Sequence, residues 1–114
     1  MRFLVQANIG IDAGNAAIID GTIGDTLESI LGDLKPEAAY FTTDDGERTA
    51  FLIVDLDDAS QMVKVAEPFF LAFGASVSVR PVMVPEDLRR ARPFMEEAVS
   101  KYAPLDEDEE DDEE

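Results

Sequence analysis

Cysteine, histidine and tryptophan are absent from the 114 residues. Without thiol or imidazole the chain can form no disulfide, no iron–sulfur cluster, no thiolate or imidazole zinc site, no Ser-His or Cys-His nucleophilic pair, and no haem held by an axial His or Cys. Basic residues are also scarce, 9 Lys+Arg against 26 Asp+Glu, for a formal net charge of −17. Binding to phosphate backbones or anionic lipid needs clustered cations. Here only Arg89, Arg90 and Arg92 cluster, among Glu86, Asp87, Glu96 and Glu97, which reads as the mixed-charge face of an exposed helix. Neither nucleic acid nor a membrane is an expected partner. No apolar run approaches the roughly 20 residues of a spanning helix. The opening Met1-Arg2-Phe3-Leu4-Val5-Gln6 has no signal-peptide pattern, so the expected location is the cytoplasm.

What is present is a body apolar enough to fold, with 46% hydrophobic residues. Nine of the 26 acids form the unbroken run Asp106 to Glu114, which leaves 17 acids against 9 bases, a net −8, for everything before it. The expected organisation is one domain over residues 1–104 and an acidic tail over 105–114. Nine adjacent carboxylates repel one another and have no apolar residue to pack with, so that tail is expected to be disordered and solvating.

Arg2 to Ile9 alternates, with Phe3, Val5, Ala7 and Ile9 on one face, which predicts a strand. Gly10 to Asn15 reads as a flexible loop. Ile19, Ile23, Leu27, Ile30, Leu31 and Leu34 then form a helical stripe, firm from about Thr22 and stopped by Pro36. Two β runs, Ala38 to Thr43 and Arg48 to Leu56, are joined by Asp44-Asp45-Gly46-Glu47, a hairpin signal. Phe51 and Ile53 on one face and Leu52 and Val54 on the other make the second of these a strand buried on both sides. Asp57 or Asp58 can cap a helix with the stripe Met62, Ala66, Phe69, Phe70 and Phe73, in which Pro68 predicts a kink or break near Glu67. Ser76 to Met83 alternates as a last strand. Pro85 opens a final helix striped by Leu88, Ala91, Met95, Ala98, Val99 and Tyr102, with a kink expected at Pro93.

The order βαββαβ with an added C-terminal helix is the split-βαβ arrangement, an α+β ferredoxin-like fold whose helices cover one face of a four-stranded antiparallel sheet. The other face, carrying Leu4, Val82 and one side of the doubly apolar strand, needs a cover, and a homodimer packing two sheets face to face supplies it. The segment Pro81-Val82-Met83-Val84-Pro85-Glu86-Asp87-Leu88, and the run Ala66-Glu67-Pro68-Phe69-Phe70 followed by Gly74, resemble small uncharacterised bacterial members of the dimeric α/β barrel superfamily, over residues 1 to about 102. The resemblance implies the dimeric barrel assembly. Relatives include cofactor-free monooxygenases of polyketide-like aromatics, muconolactone isomerases and haem-dependent enzymes. The haem branch does not fit a chain without His or Cys, and no catalytic motif of a named branch maps onto numbered positions here.

From the residues themselves, the candidate ligand-binding set is the polar row on the sheet face away from the helices: Gln6, Asn8, Ser78 and Arg80, flanked by Arg2 and Ser76, with Tyr40 and Thr42 from the hairpin. Buried together with Arg80, they would suit a small anionic, aromatic or carbonyl-bearing molecule, or would simply form a hydrated dimer interface. Asp55, Asp57 and Asp58 lack the spacing of a calcium loop, so no metal and no cofactor is expected. Two functions follow. One is a non-catalytic or accessory homodimeric domain binding a small molecule or protein partner. The alternative is a cofactor-independent monooxygenase or isomerase acting on a small aromatic or carbonyl substrate, with Tyr40 and Asp55 the acid–base residues on strands.

Overall fold

A computed structural model describes residues 1–104. The acidic run, and with it the expected disordered tail, lies outside the described residues. Two compact units are distinguished, Met1–Val82 and a second beginning at Met83. The first contains strands β1 (Arg2–Ile9), β2 (Ala38–Asp44), β3 (Glu47–Asp55) and β4 (Ser76–Pro81) and helices α1 (Ile11–Ile19), α2 (Ile23–Leu34) and α3 (Gln61–Phe73). The strands form one fully antiparallel sheet in the order β2-β3-β1-β4, consistent with a ferredoxin-like α+β fold.

Strand parity sorts the side chains. Val5 stands opposite Leu52 and Val79, and Ala7 opposite Ala50 and Val77. These positions face the helices and build the core with Ile30 of α2 and Val65, Phe69 and Phe73 of α3. Phe69, Leu52, Val5 and Val65 are fully enclosed, each contributing about 1.5–3 kcal/mol by leaving water. The α2 stripe packs as its spacing predicts from Ile23 to Leu34, whereas Ile19 belongs to α1 and is exposed. In α3 the buried row is Val65, Phe69 and Phe73, spaced i, i+4, i+8; Met62 and Phe70 are exposed, so the expected stripe is rotated by part of a turn.

Three local expectations are corrected. Residues 10–15 are not a loop: Gly10 is an extended N-cap and α1 begins at Ile11, with Asp12 favoured by the dipole in its first turn. Pro68 does not divide α3, which runs unbroken to Gly74; one lost backbone bond is tolerated because the flanking Val65 and Phe69 are anchored in the core. Nor do Asp57 and Asp58 cap that helix. Its N-cap is Ser60, and Asp58 instead turns the chain one step earlier by accepting from the Ser60 N–H at 2.8 Å and from the Ser60 hydroxyl. The hairpin is as predicted: Asp45 and Gly46, with φ of 54° and 75°, make the two-residue turn whose twist suits antiparallel strands.

The second unit holds α4 (Pro85–Tyr102), one unbroken helix through Pro93. Its start is fixed by Pro85 and by the Asp87 carboxylate, which accepts from the Val84 N–H at 3.1 Å. Arg89 donates to Glu86, Arg90 to Asp87, and Lys101 pairs with Glu97 at 3.0 Å, so most of its cations are matched within the helix. No residue of α4 is buried. No helix among the described residues is long and apolar enough to cross a membrane.

Candidate functional site

All six candidate residues from the sequence lie, by register, on the sheet face turned away from α1, α2 and α3. Gln6 stands beside Phe51 and Ser78, Asn8 beside Thr49 and Ser76, Leu4 beside Ile53 and Arg80; Tyr40 pairs with Phe51 and Thr42 with Thr49. Leu4, Phe51 and Ile53 are half-buried on this face and Tyr40 is 67% exposed.

The structure joins Gln6 and Asn8 and adds a residue that sequence reasoning missed. Gln6 Nε2 donates to Asn8 Oδ1 at 3.0 Å and to Asp44 Oδ2 at 3.1 Å, while Asn8 Nδ2 donates to Asp44 Oδ2 at 3.2 Å and to the Asp44 carbonyl at 3.3 Å. Since β3 separates β1 from β2, these bonds cross above it. Beneath them Thr49 is only 2% exposed, its hydroxyl donating to the Glu47 carbonyl at 3.0 Å. Asp44 was legible in principle, because extending the alternation Ala38, Tyr40, Thr42 by one step puts it on this face; treating it as a turn residue hid it.

The remaining candidates are not brought together within one chain. Tyr40 and Thr42 belong to β2 and Ser78 and Arg80 to β4, the two edge strands, three strand spacings or roughly 14 Å apart. Neither the Ser78 nor the Arg80 side chain hydrogen-bonds another described residue.

Asp55 is exposed at the end of β3. It accepts from the amino group of Met1 at 2.8 Å, and that hydrogen bond and charge hold its carboxyl below the usual aspartate range. Asp58 is likewise lowered, by the hydroxyl and N–H of Ser60. Among the described residues no cluster of carboxylates is arranged to hold a metal ion. Phe69 and Phe73 are core and Phe70 is exposed.

The helix side of the sheet contains a groove the sequence did not announce. About 360 Å³ in volume, it lies between α2 and the β2–β3 hairpin, lined by Ile9, Ile23, Leu27, Phe41, Arg48 and Ala50 and also by Thr42 and Thr49 of the hairpin strands. Arg48 shares the parity of Ala50, Leu52 and Val54, so its side chain leaves the sheet on the apolar side and is half-buried. Its parity was visible in the run Arg48 to Leu56, but the residue was not singled out there as a candidate. No family model and no curated protein matches the chain.

Proposed function

We propose that the chain works as a homodimeric binding domain of the dimeric α/β barrel kind, in which two open sheet faces meet and enclose a small molecule. One observation carries this reading: the face turned away from α1, α2 and α3 combines the half-buried Leu4, Phe51 and Ile53 and the exposed Tyr40 with the ordered bridge from Gln6 and Asn8 to Asp44. Four strands at about 4.8 Å and some seven residues at about 3.3 Å give a face of roughly 19 by 23 Å. Side-chain relief takes that area toward the roughly 800 Å² per partner of a stable interface. Apposition also resolves the separation of the edges. A second copy brings its own Tyr40, Thr42, Ser78 and Arg80, so an interior lined by both edge sets forms only between chains. A guanidinium and hydroxyls in an apolar interior suit a small anionic or carbonyl-bearing aromatic molecule.

Light scattering at micromolar concentration tests the assembly. The expected mass is twice the 12.5 kDa of one chain. Phe51→Asp puts a charge in the centre of the open face without touching the helix-side core, so it is expected to yield a folded monomer. A monomeric wild type, or a Phe51→Asp variant that stays dimeric, would overturn the reading.

A further inference from the structure

We propose that the groove between α2 and the β2–β3 hairpin is a binding site for a small amphipathic carboxylate, its apolar body held by Ile23, Leu27 and Phe41 and its carboxylate by the Arg48 guanidinium. This site lies on the helix side of the sheet and does not depend on the oligomeric state.

Arg48 is half-buried beside an apolar wall, yet among the described residues its side chain makes no ion pair and no hydrogen bond. Its guanidinium presents five donors in a planar fork, none of them both buried and unsatisfied, so they stay open to water and to an arriving acceptor. The fold makes room for it. Gly14, buried in the middle of α1, has no Cβ; one added there would lie 2.7 Å from a terminal nitrogen of Arg48 and 3.5 Å from its Cδ. Glycine inside a helix is less favourable than alanine. A helix that accepts that cost to seat a guanidinium lacking an acceptor has the mark of a site shaped for a ligand rather than for stability.

The ligand class follows from the lining. Phe41 is 54% exposed, an aromatic wall at the mouth that a guest would cover. A cavity of about 150 Å³ already holds benzene, so 360 Å³ admits one ring with a short chain. A planar carboxylate matches the guanidinium fork in bidentate fashion. With a chain charge of −17, and Asp44, Asp45 and Glu47 at the adjoining hairpin tip, a single negative charge is tolerated better than a phosphate dianion.

The test is a heteronuclear NMR titration of the full chain with phenylacetate and, as its neutral counterpart, phenylacetamide. Phenylacetate is expected to give saturable shifts centred on Ile9, Ile23, Leu27 and Ala50, and the amide to bind at least about tenfold more weakly. Arg48→Gln should erase the difference between acid and amide. Leu27→Trp, which fills the groove and leaves the charge in place, should weaken both. Should Arg48→Gln not fold, the acid–amide comparison in the wild type and the Leu27→Trp variant decide. Equal binding of acid and amide by the wild type, shifts centred on Ser78 and Arg80 instead, or no saturation at millimolar ligand would each overturn the proposal.

Discussion

Replacing Gly14 by alanine reports directly on how Arg48 is seated. In an ordinary helix interior the change stabilises by about 1 kcal/mol, because alanine restricts the unfolded chain and favours the helix. Here the new methyl would meet the Arg48 terminal nitrogen at 2.7 Å and the Ile9 methyl at 3.3 Å. The guanidinium ends a flexible side chain and can leave, but leaving gives up the packing of its stem and tip, an effect of about the same size as the helical gain. Alone, then, Gly14→Ala is expected to be close to neutral. In an Arg48→Ala background only the Ile9 contact remains, and that requires a shift of a few tenths of an ångström. There the alanine gain should reappear, at about 0.5–1 kcal/mol. The double-mutant cycle should therefore show a coupling of about 1 kcal/mol, within the range for side chains in contact. Urea unfolding measures each corner, provided the slope with denaturant is unchanged. In thermal unfolding the same difference is about 4–8 °C for a body of this size. Strict additivity of the two substitutions would refute the account, because it would mean that Gly14 and Arg48 do not share the space that the proposed site requires.

Two further outcomes are expected. Asp44→Ala removes the acceptor that both Gln6 and Asn8 use and uncovers Thr49; the loss should be about 1 kcal/mol in urea unfolding, with faster exchange of the Thr49 amide, and unchanged exchange there would show that the bridge does not cover β3. For Asp58, the Ser60 hydroxyl and then the Ser60 N–H lower the carboxyl in the folded state, so its stabilising effect is present above the ordinary aspartate value of about 3.9 and is lost as the pH falls through the lower folded value. Carboxyl NMR should show that lowered titration, and Ser60→Ala should move it back toward the ordinary value; an unmoved titration would remove the hydroxyl as its cause.

Much of the architecture could be read from alternation and periodicity because those patterns report burial directly. Phe3, Val5, Ala7 and Ile9 face the helices as their spacing requires, Asp45-Gly46 turns the hairpin, and Ile23 to Leu34 forms α2. What escaped depended on contacts distant in sequence. Residues 10–15 looked like a loop because Gly10, Gly14 and Asn15 all depress helix propensity, and the closeness of Gly14 to Arg48, 34 positions later, is not visible in the local sequence. Of the expected α3 stripe Met62, Ala66, Phe69, Phe70 and Phe73, Phe69 and Phe73 are buried, but the third member of the buried row is the smaller Val65 and not the larger Met62 or Phe70. Pro68 pointed to a break because local rules omit the anchoring of its neighbours. At the candidate site, parity gave the shared face of Gln6, Asn8, Tyr40, Thr42, Ser78 and Arg80, but not that β2 and β4 would be opposite edges.

The two faces of the sheet satisfy their polar groups differently, and that difference separates the chemistry open to each. On the open face Gln6, Asn8 and Asp44 are already bonded to one another, so a polar guest at that end must displace intramolecular hydrogen bonds and gains little by replacing them. Its binding would have to come from apolar burial beside Leu4, Phe51 and Ile53, and from Arg80 at the far edge. On the helix side the Arg48 donors have no competing acceptor among the described residues, so a carboxylate arriving there displaces only water. Selectivity for charge therefore belongs to Arg48 in the groove and to Arg80 at the far edge of the open face, while the end of that face beside Gln6, Asn8 and Asp44 selects for apolar shape. Because β3 contributes Arg48 and Ala50 to one and Phe51 and Ile53 to the other, pairing two sheets would cover the second face while leaving each groove on the helix side of its own sheet.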